Sequence, residues 1–128
     1  MAGGFEDLDV YKEARILRRR VYKLTKQLPK DEMPNLFRQM RRAALSVTNN
    51  IAEGHGSRGF RHNMSYLYRS RGSVNELMDD INTCLDEGYF QPEHLADLRK
   101  QAVSVVKLIN GYIAYLRGRM TEADGKAR

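Results

Sequence analysis

From Gln39 to Glu53 the chain spaces Gln39, Arg42, Ser46, Asn50 and Glu53 three or four residues apart. On a helix these side chains share a stripe about 80° wide, beside an apolar face of Leu36, Met40, Ala43, Val47 and Ile51. Residues that flank a core are half buried, and a half-buried amide or carboxylate needs partners for its donors and acceptors. The stripe therefore predicts a structural partner, another helix or another subunit, ahead of a catalytic site. Ser73 and Glu76 share a face further along the chain and are the candidates to answer it, within the bundle or across a subunit boundary.

A second group interleaves guanidinium and aromatic side chains: Arg58, Arg61, Tyr66, Tyr68, Arg69 and Arg71. This mixture stacks bases and holds phosphates in single-strand binders. The plainer alternative puts the tyrosines at the core edge with their hydroxyls outward and the arginines in solvent.

Other chemistry finds little support. His55, His62, His94, Cys84 and Glu53 show none of the spacings of a metal site. Gly54, Gly56 and Gly59 spell GxGxxG, but a helix precedes them where a dinucleotide site needs a strand. No serine stands in a GxSxG elbow, and Cys84 has no cationic neighbour in sequence to activate it. Neither enzyme activity nor a cofactor is expected.

Charge is unevenly placed. Residues 12–71 hold 15 lysines and arginines against Glu13, Asp31, Glu32 and Glu53, whereas residues 72–128 hold seven against nine acids. A basic first half favours polyanions, chiefly nucleic acid, although it also serves solubility. Within it, Lys12, Arg15, Arg19, Lys23, Lys26 and Lys30 form one helical stripe opposite an apolar seam, with Arg18 and Arg20 on its shoulders.

The elements that position these groups are helices. Val10, Ala14, Leu17, Val21, Leu24 and Leu28 recur at 4, 3, 4, 3, 4 and predict a helix over 9–28, capped by Asp9 and stopped by Pro29. Pro34 suits the first turn of a second helix over 34–54, which a left-handed glycine at 54 or 56 would close. A third helix spans 60–87, with Leu67, Ser70, Val74, Leu77, Ile81 and Cys84 on its seam and Gly88 ending it. A fourth spans 92–118, and residues 120–128 lack apolar periodicity and are expected to fray. Small Gly72 and Ser73 would let another helix approach, and Leu45, Ile113 and Tyr115 extend apolar surface of the kind that favours self-association. Short links make neighbours antiparallel, so the prediction is an all-α, up-down-up-down four-helix bundle in one domain over residues 1–119. A single cysteine, Cys84, and the lack of any long apolar run predict a cytoplasmic protein without membrane or export segments.

The segments FEDLDVYKEA, QMRRAALSVTNNIAEG, GSVNEL and LDEGYF resemble the four-helix-bundle family of 23S ribosomal RNA intervening-sequence proteins, sometimes labelled ribosomal protein S23, over roughly residues 5–117. The family's characteristic polar positions fall on Arg42, Ser46, Asn50, Glu53, Gly54, Ser73 and Glu76. The resemblance implies a homopentameric bacterial ring without enzyme activity. A distantly similar group serves diversity-generating retroelements as an accessory that binds nucleic acid and a reverse transcriptase. Two departures stand out: Thr48 where relatives often carry proline, and the polar run Tyr68–Arg71 where they are more apolar.

The leading expectation is a basic oligomer that binds RNA or DNA through phosphates, with Lys12, Arg15, Arg19, Lys23 and Lys26 supplying the field and Arg61, Arg69 and Arg71 adding closer contacts. Its rival is an adaptor or scaffold ring that docks a protein.

Overall fold

The computed structural model describes residues 3–127. Four helices follow one another: α1 (Asp9–Thr25), α2 (Arg38–Gly56), α3 (Gly59–Asp86) and α4 (Pro92–Ala127). Among the described residues there is no strand. Packing of α1 on α2, α2 on α3, α3 on α4 and α4 back on α1 closes a bundle in which α1 and α3 lie across the diagonal. Hydrogen bonds record the antiparallel register. Residues 18 and 41 of α1 and α2 reach 48 and 25, residues 46 and 73 meet between α2 and α3, and residues 71 and 82 of α3 meet 110 and 99 of α4.

The seams read from the 3,4 spacing are the core. Val10, Ala14, Leu17, Val21 and Leu28 are buried with Leu36, Met40, Ala43, Val47 and Ile51, and so is every seam residue of α3. In α4, Leu95, Leu98, Ala102, Val105, Ile109 and Leu116 are buried, and Ile113 joins them. Each fully buried Leu or Ile contributes about 1.5–3 kcal/mol, so the apolar stripes dominate assembly of the bundle.

The ends differ from the expectation in physical detail. Asp9 is the first residue of α1 and makes no side-chain cap, Leu8 being the capping residue. The helix stops at Thr25, because Gln27 and Leu28 turn their amides onto Leu24 and Thr25 carbonyls ahead of Pro29. Between α1 and α2 lie a 3₁₀ turn (Lys30–Glu32) and a π-helical turn (Met33–Phe37). Pro34 sits at the start of the latter, where its missing amide leaves no bond unmade. No left-handed glycine closes α2: around α3, positive φ occurs at its first residue, Gly59 (78°), and after its end at Gly88 (73°) and Phe90 (68°). Gly54 is required for another reason, since a Cβ there would stand 2.6 Å from Asn63 Oδ1 and 3.0 Å from Tyr66 Cβ. Nothing in the chain approaches Gly72, which lies on the exposed side of α3. The fourth helix runs on past 118 to Ala127; residue 128 of the expected tail lies outside the described residues.

Candidate nucleic-acid interface

On α1 the two shoulders of the basic stripe are engaged and its middle is not. Arg18 donates from Nη1 to Thr48 Oγ1 at 2.9 Å, tying α1 to α2. Arg20 pairs with Asp97 at 2.6 Å and donates to Gln101, tying α1 to α4. Between them Lys12, Arg15, Arg19, Lys23 and Lys26 are all exposed, and Arg20–Asp97 is the single ion pair among the described residues. Five unpaired cations on one helix face make a continuous positive rail that a phosphate backbone can follow.

Arg61, Arg69 and Arg71 do not join that rail. They belong to α3, across the diagonal from α1. They also separate from one another. Arg69 stacks over Tyr66 at 4.9 Å, on the flank where Tyr66 touches α2 near Gly54. Arg71 stacks over Tyr68 at 5.0 Å and donates to Asn110 of α4 at 2.7 Å, on the opposite flank. Arg61 is exposed. The eight cations named from sequence thus divide into a continuous rail of five on α1 and three arginines on α3, of which Arg69 and Arg71 lie on opposite flanks.

The polar stripe of α2 divides in the same way. Ser46 and Ser73 meet at 2.7 Å between their hydroxyls, Asn50 donates to Ser46 Oγ at 3.0 Å and to its carbonyl at 2.8 Å, and Ser73 donates to the Arg69 carbonyl. One donor sequence satisfies this chain: Asn50 to Ser46, Ser46 to Ser73, Ser73 to backbone. Buried Ser70 adds a bond to the Val47 carbonyl at 2.8 Å. Glu53, Arg42 and Glu76 stay outside. Glu53 is exposed beside Phe5, Asn49 and Ser57, while Arg42 and Glu76 line a cleft of about 320 Å³ with Gln39, Asp79 and Asp80. In that cleft burial, with Asp79 and Glu76 adding repulsion, pushes the Asp80 carboxyl up to about 6. Burial likewise pushes the Cys84 thiol up to about 11, so it is a packing group with little thiolate character.

Arg41, which no motif marks out, is half buried between two aromatic rings. Its guanidinium lies 4.4 Å from the Tyr22 ring centre and 4.1 Å from that of Phe37, and it donates to Thr25 Oγ1 and to the Tyr22 carbonyl, each at 3.0 Å. It caps the C-terminal end of α1 from α2. Only its spacing from Phe37, one helical turn, was a local signal. At the other end of the bundle, Asn63 donates to Tyr112 Oη at 3.1 Å and His55 Nε2 lies 2.8 Å from the Gly3 carbonyl, fastening the N-terminal segment over the α2–α3 turn.

Among the described residues no helix is long and apolar enough to cross a membrane, and no three ligating side chains gather as a metal site would need. A family model described as 23S rRNA-intervening sequence protein matches residues 6–111. Compared with curated proteins, the chain has no match.

Proposed function

The chain belongs to the 23S rRNA-intervening sequence protein family, and on that premise we propose that it is a non-enzymatic, cytoplasmic basic bundle that binds nucleic acid through phosphates along the outer face of α1. The observation that carries this function is the division of labour among the α1 cations. Arg18 and Arg20 hold the helix in the bundle, while Lys12, Arg15, Arg19, Lys23 and Lys26 are exposed and have no ion-pair partner among the described residues. Side chains that contact phosphates alone carry no base readout, so sequence preference is weak. Assembly into a homopentamer, as the resemblance implies, multiplies the charge of +6 per chain to about +30 and makes the contacts multivalent.

Anisotropy of labelled RNA and DNA between about 50 and 200 mM salt tests this directly. Five phosphate contacts predict an affinity loss of about two to three orders of magnitude over that range. In Arg15→Glu/Arg19→Glu/Lys23→Glu, the logarithmic salt slope falls by about 3 while light scattering shows the assembly intact. Binding indifferent to those three reversals would reject α1 as the interface.

An adaptor role has one feature in its favour. Ile16 and Leu45, 47% and 39% exposed, form the apolar floor of an open groove of about 970 Å³ rimmed by Arg19, Lys23 and Lys26. A protein segment with apolar and acidic side chains fits that floor and rim. Absence of polyanion binding near 50 mM salt would turn the assignment to such a protein.

A further inference from the structure

Three arginines cross the seam between α3 and α4, and each ends on a neutral oxygen. Arg99 donates to Asn82 Oδ1 and to the Met78 carbonyl, Arg71 to Asn110 Oδ1 at 2.7 Å, and Arg117 to Tyr68 Oη at 2.6 Å. None has a carboxylate partner among the described residues. Amides, carbonyls and hydroxyls orient a guanidinium without cancelling its charge, so the seam is both fixed and positive. Its contacts at positions 99, 110 and 117 of α4 span about 27 Å at 1.5 Å per residue. The α1–α4 seam is built differently, because Arg20 there meets Asp97 and Gln101 meets Glu13.

At the Arg117 end stands Tyr68. The residue is 40% exposed, its ring carries the Arg71 guanidinium 5.0 Å from its centre, and its hydroxyl accepts a bond from Arg117. A tyrosine fixed at both face and tip has already lost the rotamer freedom that stacking a ligand would otherwise remove. Exposed aromatic rings beside uncompensated arginines are what unpaired nucleotides require: bases stack, and phosphates lie on the cations. In a duplex the bases are stacked on each other and present only edges, so a flat ring offers a duplex nothing.

We propose that the α3–α4 seam is a second nucleic-acid site, selective for unpaired strands, with Tyr68 stacking a base and Arg71 and Arg117 holding the adjoining phosphates. It rests on the nucleic-acid function proposed above but uses the opposite side of the bundle. The two surfaces are separate, so one chain has room for a strand on each.

The test compares a labelled oligo(dT) of about twelve nucleotides with a duplex of the same length, for the wild type, the α1 triple reversal and Tyr68→Leu/Arg117→Gln. The seam variant is expected to lose affinity for oligo(dT) about tenfold or more and to keep its duplex affinity. The α1 reversal is expected to weaken both ligands, the duplex more than oligo(dT), because the α1 field attracts any polyanion. Tyr68→Phe, which retains the ring, keeps most of the single-strand affinity. Should the double variant unfold by circular dichroism, Arg117→Gln alone, at an exposed position, carries the same expectation with a loss of about threefold or more. Equal single-strand binding by wild type and seam variants overturns the proposal, as does parallel loss of both ligands in the seam variant. If the α1 reversal abolishes both ligands and the seam variant neither, the α1 interface stands and the seam site falls. If the α1 reversal changes neither and the seam variant loses oligo(dT), the seam site stands alone.

Discussion

The outer face of α1 and the α3–α4 seam use arginine to different ends. On α1, Arg15 and Arg19 are exposed with Lys12, Lys23 and Lys26 and have no ion-pair partner among the described residues. Across the seam, Arg71, Arg99 and Arg117 are each anchored on an oxygen of the neighbouring helix. The first arrangement is a mobile field that attracts any polyanion. The second is a positioned set that can discriminate shape. Density of charge along the sequence locates the first but says nothing of the second, because anchoring depends on residues 17 to 49 positions away.

The comparison is most exposed to failure in stability. If anchored arginines belong to the fold and free ones do not, their removal must differ in effect. Arg41, held between two rings and bonded to Thr25 and Tyr22, is the extreme anchored case. Arg41→Ala should lower unfolding free energy by about 2 kcal/mol, from lost charged hydrogen bonds and cation–π contact. Arg19→Ala should stay within about 0.5 kcal/mol of wild type. Urea denaturation with unchanged m-values measures both. Comparable losses at the two sites would erase the distinction.

A carboxylate sharpens the same point. Asp80 has no ion-pair partner among the described residues, yet it is half buried and so is not free in the sense of the α1 cations. Its carboxyl is raised from its ordinary 3.8 to about 6, chiefly by burial. The folded state therefore binds the proton more tightly than the unfolded state between about pH 4 and 6. Stability falls as pH rises through that window and is flat above it. Asp80→Asn should stabilise the protein by about 1 kcal/mol at pH 7, a value reduced from the full shift because half the carboxyl remains in solvent. The gain should vanish near pH 4, which thermal melts at the two pH values would reveal. A constant gain across that range would mean that packing, not charge, explains it.

Helix periods were legible because burial repeats locally: the 3,4 spacing of Leu67, Ser70, Val74, Leu77, Ile81 and Cys84 is a property of one segment, and all six are buried. The fate of polar groups was not, because it depends on what stands opposite. Ser46, Asn50 and Glu53 share a stripe, but Ser73 meets only Ser46, to which Asn50 donates from one turn on, so the network ends before Glu53. Arg69 and Arg71 stand two residues apart in sequence and diverge because the two positions point to different flanks of one helix. The π-helical turn at Met33–Phe37 left no mark in the apolar pattern beyond Pro34, since Leu36 is buried with the seam of α2 as a plain α-helix would require.

The smallest expected effect concerns Gly72, which lies one turn beyond Tyr68 on the exposed side of α3. A Cβ added there meets nothing within 4 Å, whereas at Gly54 it would collide with Asn63 and Tyr66. Within a single chain Gly72 is then only an entropic weakness in a helix interior, and Gly72→Ala should raise unfolding free energy by about 0.5–1 kcal/mol. Sedimentation should show the assembly unchanged. A stabilised chain that no longer assembles would have a different meaning: the space beside Gly72 would be occupied by another copy, and the outer face of α3 would be a subunit contact. Since Tyr68 borders that same space, the seam could then take a nucleic-acid strand only where the neighbouring copy leaves the ring uncovered, so this mildest substitution also decides whether both basic surfaces remain open in the assembled protein.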